Sequence, residues 1–262
     1  MKIIIVGLGK VGQTLAFELS KEDNDITVID NREGVVQDFA SQYDIMGVIG
    51  NGSSYSTQME AGIEAADLLI AVTGSDELNL LCCLIAKKAG NCHTIARVRT
   101  PEYSSELNFI KEELGLAMVI NPEMAAADEI ARVLKFPSAI DVDTFSKSRV
   151  DLLKFRVLEH SVLDEMRISD ITSKTKGNIL ICAVERGEQL IIPNGDTVLK
   201  ARDRISIVGA SEEANDFFRQ VGIVTNQVKN IMIAGGGTIA YYLAKMLIAS
   251  GISVKIMEKD MK

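Results

Sequence analysis

The sequence predicts an α/β protein: a doubly wound parallel sheet, then a small α+β lobe, then the start of a second doubly wound unit. Three observations carry this reading. Short apolar runs alternate with helix-patterned stretches over about the first 120 residues. A glycine-rich turn follows the first run, and an acid closes the second. The last 34 residues repeat the first at a fixed offset of 228.

The runs are Ile3–Val6, Ile26–Ile29, Ile45–Ile49, Leu68–Val72, Thr94–Val98 and Met118–Ile120. Each has the length of a strand and is apolar on both faces, as strands of a covered parallel sheet are. Between them, Val11, Leu15 and Leu19 recur at i, i+4 and i+8, and Leu78 to Ala89 is apolar along one side. Asn121-Pro122 opens a helix, with Asn as cap and Pro at the first helical position. That helix is expected from Pro122 to about Lys135, stopped by Pro137. Its Met, Ala and Ile content suits packing on another subunit or on the chain's own core.

Beyond Pro137 the texture is β-rich. Leu152–Leu158 and Ile179–Val184 read as strands, Arg186-Gly187-Glu188 as a hairpin turn and Gln189–Ile192 as the return strand. Pro193-Asn194-Gly195-Asp196 is a turn, Arg204–Val208 a strand and Glu212 to Val221 a closing helix. The expected division is 1–137, 138–222 and 229–262.

In the third segment Ile3-Ile-Ile-Val-Gly7 aligns with Ile231-Met-Ile-Ala-Gly235. Gly9 falls on Gly237, Gly12 on Ala240, Leu15-Ala16 on Leu243-Ala244, and Asp30 on Glu258. The first glycine and the acid are 23 residues apart in both copies. A strand, a helix and a strand cannot cover both faces of a parallel sheet, so the sequence is expected to break off inside a third domain.

Of the 262 residues, 47% are hydrophobic and 24% charged, with a net charge of −8, which are globular values. No basic surplus or stripe marks a nucleic-acid partner. Four cysteines, Cys82 and Cys83 adjacent, make no secreted disulfide framework and suit reduced thiols. No apolar run approaches the roughly 18–20 residues of a membrane span. Gly7, Gly9 and Lys10 break the opening run too early for a signal peptide, and no small-residue cleavage site follows. The expectation is a soluble, acidic, cytosolic chain with no nucleic-acid partner and no membrane insertion.

Gly7-Leu8-Gly9-Lys10-Val11-Gly12 follows a strand, opens a helix and is trailed by Asp30 and Asn31 at the end of the next strand. This is the context of a dinucleotide fingerprint. Gly7 makes the tight turn, Gly9 lets the backbone approach a pyrophosphate, and Gly12 lets the helix pack on the sheet. The helix N-terminus presents unpaired N–H groups to the phosphates. Asp30 is suited to ribose hydroxyls and repels a 2′-phosphate, which favours NAD or another adenosine over NADP. A glycine turn without a ligand is the plain alternative.

Asn51, Gly52 and Ser53 follow the third strand, where a base could be met or a simple loop could stand. Thr73, Gly74 and Ser75 follow the fourth strand at the switch point of such sheets, where Thr73 could meet ribose or phosphate. Asp76 could cap the following helix. Arg97 and Arg99, two residues apart, are expected on one face of the fifth strand. They would face a phosphate or carboxylate ligand, or pair with a local acid. Cys82, Cys83, Cys92 and His93 lack metal-ligand spacing, so no metal site is expected. His160 stands alone, and Tyr241 with Lys245 lies in the helix after a glycine loop, where a catalytic pair would not face a nicotinamide. No proton-transfer constellation for a dehydrogenase stands in 140–220. Nucleotide binding without chemistry points to a sensor rather than an enzyme.

These residues resemble a known family. Met1 to Gly12, Asn24 to Asp30, Ala71 to Glu77 and Ile95-Ala-Arg-Val-Arg-Thr-Pro-Glu-Tyr103 are similar to the TrkA family of cytosolic potassium-uptake regulators. Asp141 to Gly209, with Ile191 to Lys200 and Asp203 to Val208, is similar to the carboxyl-terminal lobe of its RCK (regulator of potassium conductance) module. The resemblance implies a Rossmann-like amino-terminal lobe, a smaller carboxyl-terminal lobe and the start of a second module. It implies self-association into a dimer, tetramer or ring beneath a membrane potassium transporter or channel, at the inner face of the membrane. NAD(H) and ATP or ADP would compete for the pocket. Arg97 would approach the cofactor, and Arg99 would meet the extra phosphate of ATP. The second copy would contribute Gly235, Gly236, Gly237, Thr238, Ile239 and Glu258, but Gly236 and Ala240 weaken its fingerprint. Competing readings are an NAD-dependent oxidoreductase acting on a small metabolite, and a sensor whose ligand sits in the small lobe.

Overall fold

Six parallel strands pair in the order β3-β2-β1-β4-β5-β6, the order of a doubly wound sheet. They are β1 (Lys2–Val6), β2 (Asp25–Asp30), β3 (Met46–Ile49), β4 (Leu68–Ala71), β5 (His93–Arg97) and β6 (Met118–Ile120). The helices between and after them are α1 (Lys10–Ser20), α2 (Glu33–Tyr43), α3 (Tyr55–Glu60), α4 (Asp76–Ala89), α5 (Leu107–Glu113) and α6 (Pro122–Lys135). The structure is a computed structural model that describes residues 1–103, 106–135, 140–145, 150–174, 179–222 and 228–260.

The two-sided apolar strands have a direct cause. Along β1, Ile3 and Ile5 enter one core with Val28, Val36 and Phe39. Ile4 and Val6 enter the other, with Ile29, Leu69, Cys82 and Cys83. Successive strand side chains point to opposite faces, so a strand buried on both sides must be apolar at every position. At the start of α6, Asn121 Oδ1 accepts the N–H of Met124 at 2.9 Å, so the expected cap forms. The expected stop at Pro137 lies outside the described residues.

The second lobe is an antiparallel sheet ordered β10-β9-β11-β8-β7. Its elements are β7 (Asp141–Phe145), β8 (Val150–Arg156), α7 (Ile168–Lys174), β9 (Leu180–Arg186), β10 (Gln189–Ile191), β11 (Arg204–Gly209) and α8 (Ser211–Gln220). Phe155, Phe217 and Phe218 fill its core, with Phe155 and Phe218 edge to face at 5.0 Å. Burying each such ring stabilises by about 1.5–3 kcal/mol. Neither β7 nor α7 is evident in the sequence. As the sheet's outer strand, β7 carries Asp141 and Asp143, and a charged edge gives little hydrophobic signal.

The repeat is realised in three dimensions. β12 (Asn230–Ala234), α9 (Thr238–Ala249) and β13 (Ser253–Met257) form a parallel strand–helix–strand unit. Ile231 pairs with Val254 as Ile3 pairs with Ile26, the same register displaced by 228. The chain divides into two compact units, Met1–Ala126 with Gly237–Tyr242, and Ala127–Gly236 with Leu243–Lys262.

Candidate functional site

The turn after β1 is built by glycine. Gly7 has φ +100°, and a Cβ there would lie 2.9 Å from the Thr73 backbone nitrogen. A Cβ on Gly12 would lie 1.8 Å from the Gly7 carbonyl oxygen, so α1 sits directly on the turn. Gly9 differs: a Cβ there would meet nothing within 4 Å. Gly9 is the N-cap of α1 with no side-chain cap, so the first-turn N–H groups remain available to an anion.

A cavity of about 590 Å³ opens at the carboxyl ends of these strands. Its volume is in the range of small-molecule sites. Of the residues singled out from the sequence, it brings together Gly7, Gly9, Asp30, Asn31, Asn51, Gly52, Thr73, Gly74, Ser75 and Arg97. Leu8, Lys10, Val11, Gly12, Ser53 and Arg99 are not among its lining. Leu8 and Gly12 are buried, and Lys10 is exposed. The cavity also takes in Arg32, Gly50 and Leu78, which the sequence reading missed.

Asp30 is buried and fully engaged. Its Oδ2 accepts the Leu8 N–H at 2.7 Å and Arg32 Nη2 at 2.9 Å. Its Oδ1 accepts the Arg32 N–H at 3.0 Å and Arg32 Nε at 2.9 Å. Burial alone would raise the Asp30 pKa. The Arg32 guanidinium, the Leu8 and Arg32 N–H groups and the Arg32 charge outweigh it and hold the carboxyl below its usual range.

Asn79 organises the loop after β4. Fully buried in α4, its Oδ1 accepts both the N–H and the hydroxyl of Thr73 at 2.7 Å, while its Nδ2 donates to the Arg97 carbonyl at 2.9 Å. Gln58, also fully buried, holds the Gly52 carbonyl at 2.7 Å. Asn79 was legible in principle as a lone amide in an apolar stretch, since a buried amide must find partners, whereas Gln58 stands among polar residues and gave no such signal.

Three expectations are corrected. Asp76 does not cap α4; Ser75 does, accepting the Leu78 N–H at 3.2 Å. Asp76 Oδ2 instead accepts the Arg99 N–H, the Thr100 N–H and the Thr100 hydroxyl, bracing the chain beyond β5. Arg97 and Arg99 are not both on the fifth strand, because β5 ends at Arg97 and Arg99 lies in the segment that Asp76 braces. Arg97 lines the cavity and pairs with Glu123 at 2.6 Å, so the local-acid alternative holds for it; its Nε is buried with no partner among the described residues. Arg99 lies 3.7 Å from Asp76 and donates to the Gly74 carbonyl, holding the loop rather than lining the cavity.

The second copy repeats the local geometry. Gly235 has φ +102°, and its N–H bonds Met257 O at 2.8 Å, as Gly7 N–H bonds Ile29 O at 2.8 Å. Gly236 N–H bonds Glu258, as Leu8 N–H bonds Asp30. Gly235, Gly236, Gly237 and Ile239 are exposed, Thr238 is half-buried, and Glu258 is exposed where Asp30 is buried.

Cys82, Cys83 and Cys92 are buried free thiols, and burial pushes Cys82 up to about 12 and Cys83 higher still. Such thiols are poor nucleophiles and poor ligands. Among the described residues no helix is long and apolar enough to cross a membrane, and no group of three or more His, Cys, Asp and Glu side chains could hold a metal ion.

The strand order, the glycine turn and the cavity at the strand ends define a Rossmann-like α/β domain, carried in one chain with an antiparallel β lobe. Residues 3–122 match the TrkA-N domain and residues 152–222 the TrkA-C domain, and the chain belongs to this TrkA family. It is 36% identical over 263 residues to the Trk system potassium uptake protein TrkA homolog of Archaeoglobus fulgidus, covering 100% of this chain and 59% of that protein. It is 34% identical over 264 residues to Trk system potassium uptake protein TrkA of Haemophilus influenzae, covering 99% of this chain and 57% of that protein. The chain thus spans somewhat over half the length of these relatives. Its fold is similar to that of the GsuK channel bound to NAD, with a TM-score of 0.66 at 18% identity over 100% of this chain and 46% of that one.

Proposed function

We propose that this chain is a nucleotide-sensing, non-catalytic regulatory subunit of a membrane potassium uptake system. NAD(H) and ATP or ADP compete for the cavity beside Gly7 and Gly9. The supporting observation is the convergence, in one cavity, of an open glycine turn, the buried Asp30, the Thr73 loop and the half-buried cation Arg97. These residues fit an adenine dinucleotide. Gly9 has room above it for a pyrophosphate, and Arg97 Nε lacks a partner among the described residues.

In this reading the first-turn N–H groups of α1 hold the phosphates, Asp30 fixes the turn and Arg32 at the ribose edge, and Arg97 answers phosphate charge. The nucleotide supplies binding free energy and no chemistry. Occupancy shifts the protein between states only by its differential affinity for them, about 1–3 kcal/mol in typical couplings. The domain division is 1–137, 138–222 and 229–262. Chains self-associate as a dimer, tetramer or ring, in the cytoplasm, peripheral to the inner face of the membrane through the potassium transporter.

The names of the relatives support the potassium-uptake assignment, and the GsuK–NAD complex supports the ligand class. Equilibrium titration with NADH, followed by displacement with ATP, tests the pocket. Saturable binding of both at one shared site is expected. A metabolite-dependent loss of NADH absorbance would turn the assignment to an oxidoreductase.

A further inference from the structure

The acid at the end of β2 is not available as it stands. A carboxylate has about four acceptor positions. Those of Asp30 receive four donors: the Leu8 N–H and three N–H groups of Arg32. A ribose hydroxyl therefore cannot reach Asp30 until Arg32 withdraws. Arg32 itself lines the cavity, and its side chain is 55% exposed. Nε and Nη2 are held by Asp30 and, through Nη2, by the Leu8 carbonyl at 3.1 Å. No hydrogen bond among the described residues uses Nη1.

We propose that Arg32 makes the ribose end of this pocket receptive to a 2′-phosphate, so that NADPH-class ligands share it with NADH-class ones. This rests on the nucleotide reading of the cavity. A lone Asp30 would repel that phosphate; with Arg32 clamped on it, the local charge is cancelled. The guanidinium then offers unused N–H donors with the geometry that phosphate oxygens match. The second copy shows that the clamp is no requirement of the fold. Displaced by 228, Arg32 becomes Asp260, whose N–H bonds Glu258 Oε1 at 3.1 Å. The strand register and the turn are nonetheless the same. The guanidinium is a feature of the first copy alone.

Titration of the chain with NADH and NADPH, on wild type, Arg32→Ala and Arg32→Gln, tests this. Wild type is expected to bind NADPH within about tenfold of NADH. Both variants are expected to lose about tenfold or more for NADPH while keeping NADH within about threefold, the scale of one charge-assisted phosphate contact. Titration of 2′,5′-ADP against 5′-ADP is expected to show the same split, which assigns it to the ribose phosphate. The inference is overturned if wild type binds NADH but rejects NADPH by about a hundredfold or more, beyond the loss of one such contact. It is equally overturned if the variants leave the NADPH-to-NADH ratio unchanged. If NADH itself fails to bind, the nucleotide reading falls and takes this inference with it.

Discussion

Gly12 lies directly beneath the carbonyl of Gly7: a Cβ on Gly12 would stand 1.8 Å from that oxygen. The contact joins the helix of the turn to its bend, so two glycines spaced five apart act as one structural unit. At Gly9, between them, a Cβ would meet nothing within 4 Å, which leaves room for a ligand. One motif thus divides into a folding part and a binding part.

Substitution separates the two parts. Gly12→Ala drives a methyl into backbone that cannot swing aside, and is expected to destabilise by about 3 kcal/mol or more, or to prevent folding. Gly9 has φ −74° and ψ −176°, which alanine adopts freely. Gly9→Ala is therefore expected to keep the wild-type urea midpoint while weakening NADH. Equal loss of stability in both variants would contradict this division.

Arg97, which lines the cavity, is paired with Glu123, and in the nucleotide reading this pair tunes its hold on phosphate. Both side chains are largely buried, and Arg97 Nε and Glu123 Oε2 lack partners among the described residues. Glu123→Gln removes the counter-charge from a buried cation, so stability is expected to fall by about 1–3 kcal/mol. The freed Arg97 then takes ligand phosphate, and ATP affinity is expected to rise by about three- to tenfold. Parallel titration and urea melts check this. A fall in both quantities would mean that Glu123 serves the ligand in another way.

In the second lobe the pH dependence runs through Asp203. It is 1% exposed, bidentate to Arg186 at 2.9 and 2.7 Å, and accepts the Lys200 N–H at 2.8 Å. Burial raises its pKa, but the Arg186 side chain and the Lys200 N–H outweigh burial and hold it below the usual value. A depressed folded pKa stabilises above the unfolded value of about 3.9 and loses that stabilisation as pH falls through the folded one. Asp203→Asn is expected to cost about 1–3 kcal/mol at pH 7. That gap holds constant down to about pH 5 and closes below about pH 4. Denaturant melts across this range read it, and a gap that widened in acid would contradict the assignment.

The sheet was legible because β1 sends Ile3 and Ile5 into one core and Ile4 and Val6 into the other, so each position had to be apolar. The repeat was legible because the same turn is built twice, with φ +100° at Gly7 and +102° at Gly235. The cavity was legible where a residue type is forced: glycine at the turn, an acid at the strand end. It was not legible where the outcome depends on one residue of strand length. Arg97 closes β5 and reaches the cavity, whereas Arg99 falls past the strand and is drawn to Asp76. Nor does spacing reveal that Arg32 saturates Asp30, because an arginine after a strand is ordinarily a solvated side chain.

The most direct test of the nucleotide pocket is NADH titration, by its fluorescence, into the wild-type chain and Asp30→Ala. One saturable site in wild type, weakened by about tenfold or more in the variant, is the expected result for loss of the carboxylate that holds the Leu8 turn and anchors Arg32 at the ribose end. Equal NADH affinity in both proteins, or no saturable binding to wild type, would contradict it.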